Sequence, residues 1–305
     1  MKFARVAPLL LITAACVSQT DLVEPAEQPA PAEVGQSGPS PAPVRDPVPA
    51  KPIVPGKITF DGELTQGGWI RGKVPDGTQS LELDGEPVAF AADGEFFAAF
   101  DRDAPTTARL VAEFPEKLVT QIEFEVAPRD WNIERVNVAR RAGGASESFM
   151  QRRRPELAAI WDARQERTGA EGWRQDFIWP VTGRISGRFG SQRIYRGEPG
   201  SYHSGLDIAG GAGTTYVAPA DGVVVLAERD FSLEGQLLII DHGQGLNSAF
   251  LHSSELLVRD GQAVKQGQPL GRIGASGRAT GPHLHWSIKW NNARLDPLLF
   301  LGPMP

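Results

Sequence analysis

The chain has 305 residues, 41% of them hydrophobic and 22% charged, with a formal net charge of −6. That length accommodates about two domains, each with its own core, and the acidic balance makes nucleic acid a poor partner. Cys16 is the only cysteine, which excludes an intramolecular disulfide.

Residues 1–16 read MKFARVAPLLLITAAC, with Lys2 and Arg5 ahead of an apolar run from Val6 to Ile12 and small residues before Cys16. The run is too short to span a bilayer and fits a secretory signal. Thr13-Ala14-Ala15-Cys16 also resembles a bacterial lipoprotein signal, in which the cysteine is lipidated and becomes the new N-terminus, although Thr13 stands where Leu is commoner. Export and a lipid anchor at Cys16 are expected. Removal of Lys2 and Arg5 takes the basic count from 31 to 29 against 37 acids, a mature charge of −8. Residues 17–55 hold ten prolines and no aromatic residue. Such a segment cannot assemble a core and is expected to be an extended, disordered tether.

From residue 56 to 131 short alternating runs appear: Ile58-Thr59-Phe60, Trp69-Ile70, Ser80 to Leu83, Phe96 to Phe100 and Ile122 to Val126. Asp-Gly pairs at 61–62, 76–77, 84–85 and 93–94 supply tight-turn positions. This predicts an antiparallel β-sandwich of roughly seven short strands. Nothing in it points to a ligand, so a spacer or folding support competes with a wall- or partner-binding module. Residues 132–178 read as a basic, helical connector. Pro155 suits a first helical position, Leu157, Ile160, Trp161 and Arg164 recur at helical spacing, and Gly169 offers a C-terminal cap. Arg152-Arg153-Arg154 reads as a solvated helix entry.

Residues 179–305 turn β-rich again, with predicted strands at Arg184 to Phe189, Leu206 to Ala209, Gly222 to Ala227, Gln236 to Asp241, Ser248 to Leu251, Leu270 to Ile273 and His283 to Trp290. The fold class is therefore mainly β, two β domains in series with a short helical connector. Four of the five histidines fall in three segments here: His203 (with Asp207), His252, and the pair His283 and His285. On a strand, the period of two puts His283 and His285 on one face with Cα atoms roughly 6.6 Å apart. The fifth, His242, sits among turn residues and reads as a hairpin residue. A catalytic metal site takes three ligands from His, Asp, Glu or Cys. The five candidates thus supply one metal site with two groups left over to move a proton or stabilise an oxyanion. Spacing alone does not separate ligand from base. No Gly-x-Ser-x-Gly elbow, His-Glu-x-x-His helix or phosphate-binding P-loop is present. Gly271 to Gly277 looks like a phosphate loop but lacks the following helix.

His203-Ser204-Gly205-Leu206-Asp207, Phe250-Leu251-His252 and Thr280-Gly281-Pro282-His283-Leu284-His285 resemble the three signature segments of the lysostaphin/LytM-type zinc endopeptidases that cleave peptidoglycan. Supporting segments are Ala218 to Val224, Ile240 to Gly243 and Val264 to Gly271. The resemblance covers about residues 175–300; Ala279, where Ser is common, is a departure. It implies a lysostaphin-like (duplicated-hybrid-motif) fold and one zinc ion held by His203, Asp207 and His285, with His252 and His283 as catalytic imidazoles. It also implies a peptidoglycan substrate and, with Cys16, a periplasmic protein anchored in the outer membrane. Some relatives have lost their ligands and activate other wall hydrolases, so a non-catalytic wall-binding regulator or a structural wall anchor are the alternatives. The same half resembles biotinyl and lipoyl carrier domains, but the carrier lysine motif is missing.

Overall fold

In the computed structural model the chain is described over residues 56–139 and 146–305. The expectations for the signal, Cys16 and the tether fall outside these residues. Alternation and turn chemistry act first in the N-terminal half. Asp84 and Gly85, both at positive φ (52° and 87°), turn Ser80–Leu83 into Glu86–Pro87 in the manner of a two-residue hairpin. Seven strands form two antiparallel sheets there. The first comprises Thr59–Gly62, Trp69–Lys73 and Glu95–Ala99; the second comprises Glu86–Pro87, Ser80–Leu83, Thr107–Glu113 and Val119–Glu125. Phe60 of the first sheet packs on Phe124 of the second with ring centroids 4.7 Å apart.

Glu95–Ala99 is buried at four successive positions instead of alternating. Its sheet is covered on both faces, the pattern of an interior strand. Phe97 turns away from the sandwich and meets Trp290 and Phe300 of the C-terminal half, and the Trp69 indole donates to the Leu299 carbonyl at 2.9 Å. Asp296, 2% exposed, accepts from Arg129 at 2.8 Å. The two β regions therefore share one apolar core, which reading them as domains in series did not anticipate.

Helical spacing misplaced the connector. Ile133–Val136 is a strand, pairing in parallel with Gln192–Tyr195, which in turn pairs with Glu198–Tyr202. The helix runs Glu147–Gln165, capped by the Ser146 hydroxyl accepting from the Phe149 N–H. Pro155 lies inside it, and Gly169 lies beyond its end at Glu166. Leu157 and Trp161 face solvent, while Ile160 and Ala163 pack on Val225, Leu237, Ile239 and Ala249. Arg153 is 7% exposed and not solvated; its guanidinium grips both Glu234 oxygens at 2.6 and 2.7 Å and Glu156 at 2.9 Å.

The C-terminal half is built on an eight-stranded sheet. Its path runs Ala263–Val264, Gly222–Phe231, Gly235–Gly243, Leu246–Ser253, His283–Trp290, Leu206–Ala209 and Arg184–Gly187, and Ala293–Leu295 pairs off this path with His283–Trp290. A small sheet of Thr215–Val217, Pro269–Arg272 and Glu255–Leu256 completes this half. Leu284, Trp286 and Ile288 fill the core side of the His283–Trp290 strand with no exposure. The odd-numbered residues, His283, His285, Ser287 and Lys289, share the other face.

Because one core serves both halves, Phe97→Ala is expected to cost about 3–5 kcal/mol and to lower the midpoint of a single thermal transition followed by calorimetry. Two separate transitions, with only one of them shifted, would contradict the shared core.

Candidate metal centre

Strand register makes the first contact. Leu206–Ala209 runs antiparallel to His283–Trp290 with Asp207 opposite His285 and Ala209 opposite His283. Asp207 Oδ1 lies 2.8 Å from His285 Nδ1 and 3.0 Å from His203 Nε2, and the two ring nitrogens are 3.1 Å apart. His203 reaches the cluster from the loop before the strand. Its Nδ1–H donates to the Arg188 carbonyl at 3.1 Å, which directs Nε2 inward. Three electron-pair donors at these separations repel one another unless a proton or a cation lies between them. Two imidazole nitrogens and a carboxylate oxygen suit a divalent transition metal, and their ligand atoms lie within 4.8 Å of one another. Two glycines keep side chains out of the cluster. A Cβ at Gly187 would come within 2.4 Å of Asp207 Oδ2, and one at Gly205 within 2.7 Å of His285 Nε2.

The electrostatics agree with this donor set. Burial disfavours the Asp207 carboxylate, but hydrogen bonds from His203 and His285 outweigh it and hold the group well below the usual carboxylate range. Burial likewise works against charge on His203, yet the Asp207 hydrogen bond raises its pKa. Both His203 ring nitrogens face acceptors, so without a metal the imidazolium is favoured. Burial lowers the pKa of His285 despite Asp207.

His252 and His283 flank the cluster. Their ring centroids lie 5.1 Å apart, and His252 is 6.2 Å from His285. His252 Nδ1–H donates to the Ser276 carbonyl at 2.9 Å and His283 Nδ1–H to the Gly281 carbonyl at 2.8 Å. In the neutral rings each Nε2 then carries a lone pair, and His283 Nε2 stands 3.8 Å from Asp207 Oδ1. Burial depresses the His252 pKa, chiefly against the Ser276 hydrogen bond, and favours the neutral ring with its free lone pair. His252 has φ 66°, a left-handed conformation unusual for a side-chain-bearing residue. Its N–H is tied to the Glu234 carbonyl at 2.9 Å, and Arg153 fixes Glu234.

The structure thus brings all five proposed residues together. His242 lies in the hairpin of Gly235–Gly243 and Leu246–Ser253, as read, and is fully buried there, donating from Nδ1 to the Asp221 carbonyl at 2.7 Å and accepting from the Ser248 hydroxyl at 2.9 Å. Burial pushes its pKa down to about 4, so it is a neutral core residue. Sequence reasoning missed the Gly271–Gly277 segment as a positioning element. The Ser276 carbonyl holds His252 and its hydroxyl accepts the Gln236 N–H at 2.9 Å, while Gly235 and Gly277, both at positive φ, bring the two loops together. The glycines were visible in the sequence; their partner hairpin was not. A groove of about 880 Å³ opens beside the cluster, lined by His203, Asp207, Arg188, Tyr202 and, from the connector strand, Asn132 and Glu134.

Comparison with known proteins agrees with this geometry. A family profile described as Peptidase family M23 matches residues 201–297. The Lipoprotein NlpD/LppB homolog of Pseudomonas aeruginosa is 38% identical over 130 residues, 43% of this chain and 40% of that protein. The Murein hydrolase activator NlpD of Escherichia coli is 36% identical over 129 residues, 42% of this chain and 31% of that protein. The Peptidoglycan DD-endopeptidase ShyA of Vibrio cholerae is 39% identical over 109 residues, 34% of this chain and 24% of that protein. The chain thus spans less than half the length of these curated relatives. A crystal structure of a peptidase M23 from Pseudomonas aeruginosa superposes with a TM-score of 0.61 at 29% identity, over 78% of this chain and 95% of that one. The match to Peptidase family M23 thus lies in the C-terminal part of the chain and spans all five residues of the site.

Proposed function

We propose that the protein is a zinc-dependent endopeptidase that hydrolyses peptide bonds in the stems or cross-links of peptidoglycan. The observation that carries this reading is the complete convergence of His203, Asp207 and His285 with His252 and His283 beside an open groove. When bound by His203, Asp207 and His285, zinc supplies a Lewis-acid charge that polarises a carbonyl and acidifies water. Every remaining role falls to side chains. His252, held neutral by burial and oriented by the Ser276 carbonyl, accepts the proton of the attacking water and returns it to the leaving amine. His283, oriented by the Gly281 carbonyl, presents Nε2 to the carbonyl oxygen and, when that nitrogen carries a proton, donates toward the charge developing there. Tyr202 and Arg188 bound the groove in which an extended peptide lies.

A second reading, a non-catalytic activator of other wall hydrolases, is favoured by the similarity to the Murein hydrolase activator NlpD. The filled ligand positions support the enzyme instead. Export as a lipoprotein anchored through Cys16 belongs to the same proposal and is supported by the similarity to the Lipoprotein NlpD/LppB homolog. A periplasmic, outer-membrane-held enzyme would reach the wall through the segment of residues 17–55.

Purified mature protein is expected to release muropeptides from sacculi and to stop when chelated. His285→Ala should lose bound metal, whereas His283→Ala should keep it and lose turnover by roughly 10²–10⁴-fold. Undiminished chelated activity, or none at all from metal-loaded wild type, would exclude the enzyme reading. The raised His203 pKa fixes a pH dependence as well. Below it the proton on Nε2 competes with metal, so zinc affinity measured by competition should weaken by roughly tenfold per pH unit for each proton displaced. A flat profile through this range would contradict the assignment of His203 as a ligand.

A further inference from the structure

The face of the sheet that carries the histidine pair carries a second concentration of charge. Asn247, Lys289 and Arg294 are register partners on three adjacent strands, so their side chains form a row on that face. Lys289 lies four residues along the strand from His285, a separation of about 13 Å. Arg164, from the last turn of the helix, enters the row by donating to the Asn247 Oδ1. Arg294 donates to the Tyr202 hydroxyl at 3.0 Å, and Tyr202 lines the groove directly before the ligand His203.

Three cations thus meet where a stable fold would avoid them. Like charges directly opposite on neighbouring strands are destabilising, and Lys289 is opposite Arg294. No carboxylate forms an ion pair with Arg164, Lys289 or Arg294 among the described residues, and Lys289 has no side-chain hydrogen bond there. Asp101 acts on Arg294 and Lys289 only at longer range than an ion pair, and the other nearby acids are engaged elsewhere. Asp101 accepts the backbone N–H of Arg294 at 2.8 Å and that of Asp103 at 3.3 Å. Asp103 pairs with Arg102 at 2.6 Å, and Glu234 is gripped by Arg153. Burial, with Arg164 and Arg294 adding to it and Asp101 opposing it, lowers the Lys289 pKa to about 8.

We propose that Arg164, Lys289 and Arg294 form a carboxylate-binding subsite at the end of the groove, which reads an acidic residue of the bound peptide about four residues from the reacting bond. The inference rests on the endopeptidase reading and narrows its substrate to peptides with a free carboxylate at that distance. It also assigns the groove a direction, with the carboxylate lying beyond Tyr202.

The test uses the full mature chain carrying His283→Ala, and two synthetic stem peptides that differ only in having their side-chain and terminal carboxylates free or converted to carboxamides. Calorimetry is expected to show roughly tenfold tighter binding of the free acid. Adding Lys289→Met should erase that preference and, without peptide, raise the melting temperature, because a repelled charge is removed. Equal binding of the two peptides would overturn the subsite while leaving sacculus digestion by the wild type to stand. Failure of either peptide to bind would overturn it together with the peptide-groove reading. A preference that survives Lys289→Met, or a melting temperature that falls, would assign the lysine a structural role and also overturn it. So would inorganic phosphate that abolishes the free-acid preference while leaving carboxamide binding unchanged, which would identify a general anion site.

Discussion

The pairing of Asp207 with His285 across two antiparallel strands is the constraint on which the rest depends. A slip of one residue would send His285 into the core and Trp286 to the surface, because the side-chain period of a strand is two. The register is held by Leu206, Ile208, Leu284 and Trp286, none of which is exposed at all. The apolar side of the two strands therefore sets the geometry of the polar side. The carboxylate and imidazole are brought to 2.8 Å by packing that neither of them makes.

Around that pair the chain spends buried polar contacts on orientation. Carbonyls of Arg188, Ser276 and Gly281 fix the tautomers of His203, His252 and His283, as backbone acceptors do for metal-site imidazoles generally. The bracing of His252 is long-range. From the helix, Arg153 fixes Glu234, Glu234 holds the His252 backbone, and the Ser276 loop closes from the other side. A left-handed histidine persists because three separate elements over-determine it. Burial depresses the basicity of His252, whereas hydrogen bonds from His203 and His285 suppress the Asp207 pKa against burial, so one arrangement yields a neutral proton acceptor beside an ionised ligand.

Much of this was legible in the sequence. The strands Leu206–Ala209 and His283–Trp290 fall where period-two alternation put them, and the Asp-Gly pairs announced the sandwich. The five site residues were legible because few histidines are present and most lie in three short segments. What stayed hidden is long-range. The connector strand Ile133–Val136 has no alternation that distinguishes it and is recruited by Gln192–Tyr195. The helical stripe misled because Leu157 and Trp161 match the spacing yet face solvent, while small Ala163 makes the contact. His242 read as a hairpin residue, which it is; only the contacts with Asp221 and Ser248 show it to be a satisfied core residue as well. The double burial of Glu95–Ala99 was written in Phe96-Phe97 but required knowing that a second region covers it.

Zinc K-edge absorption on the mature, metal-loaded protein tests the central claim most directly, since it reads the ligands themselves. The expected spectrum has two imidazole shells and one carboxylate oxygen within about 2.0–2.2 Å, and solvent completing four light-atom ligands. Three or four imidazole shells, or no zinc retained after dialysis, would contradict the division of His203, Asp207 and His285 from His252 and His283.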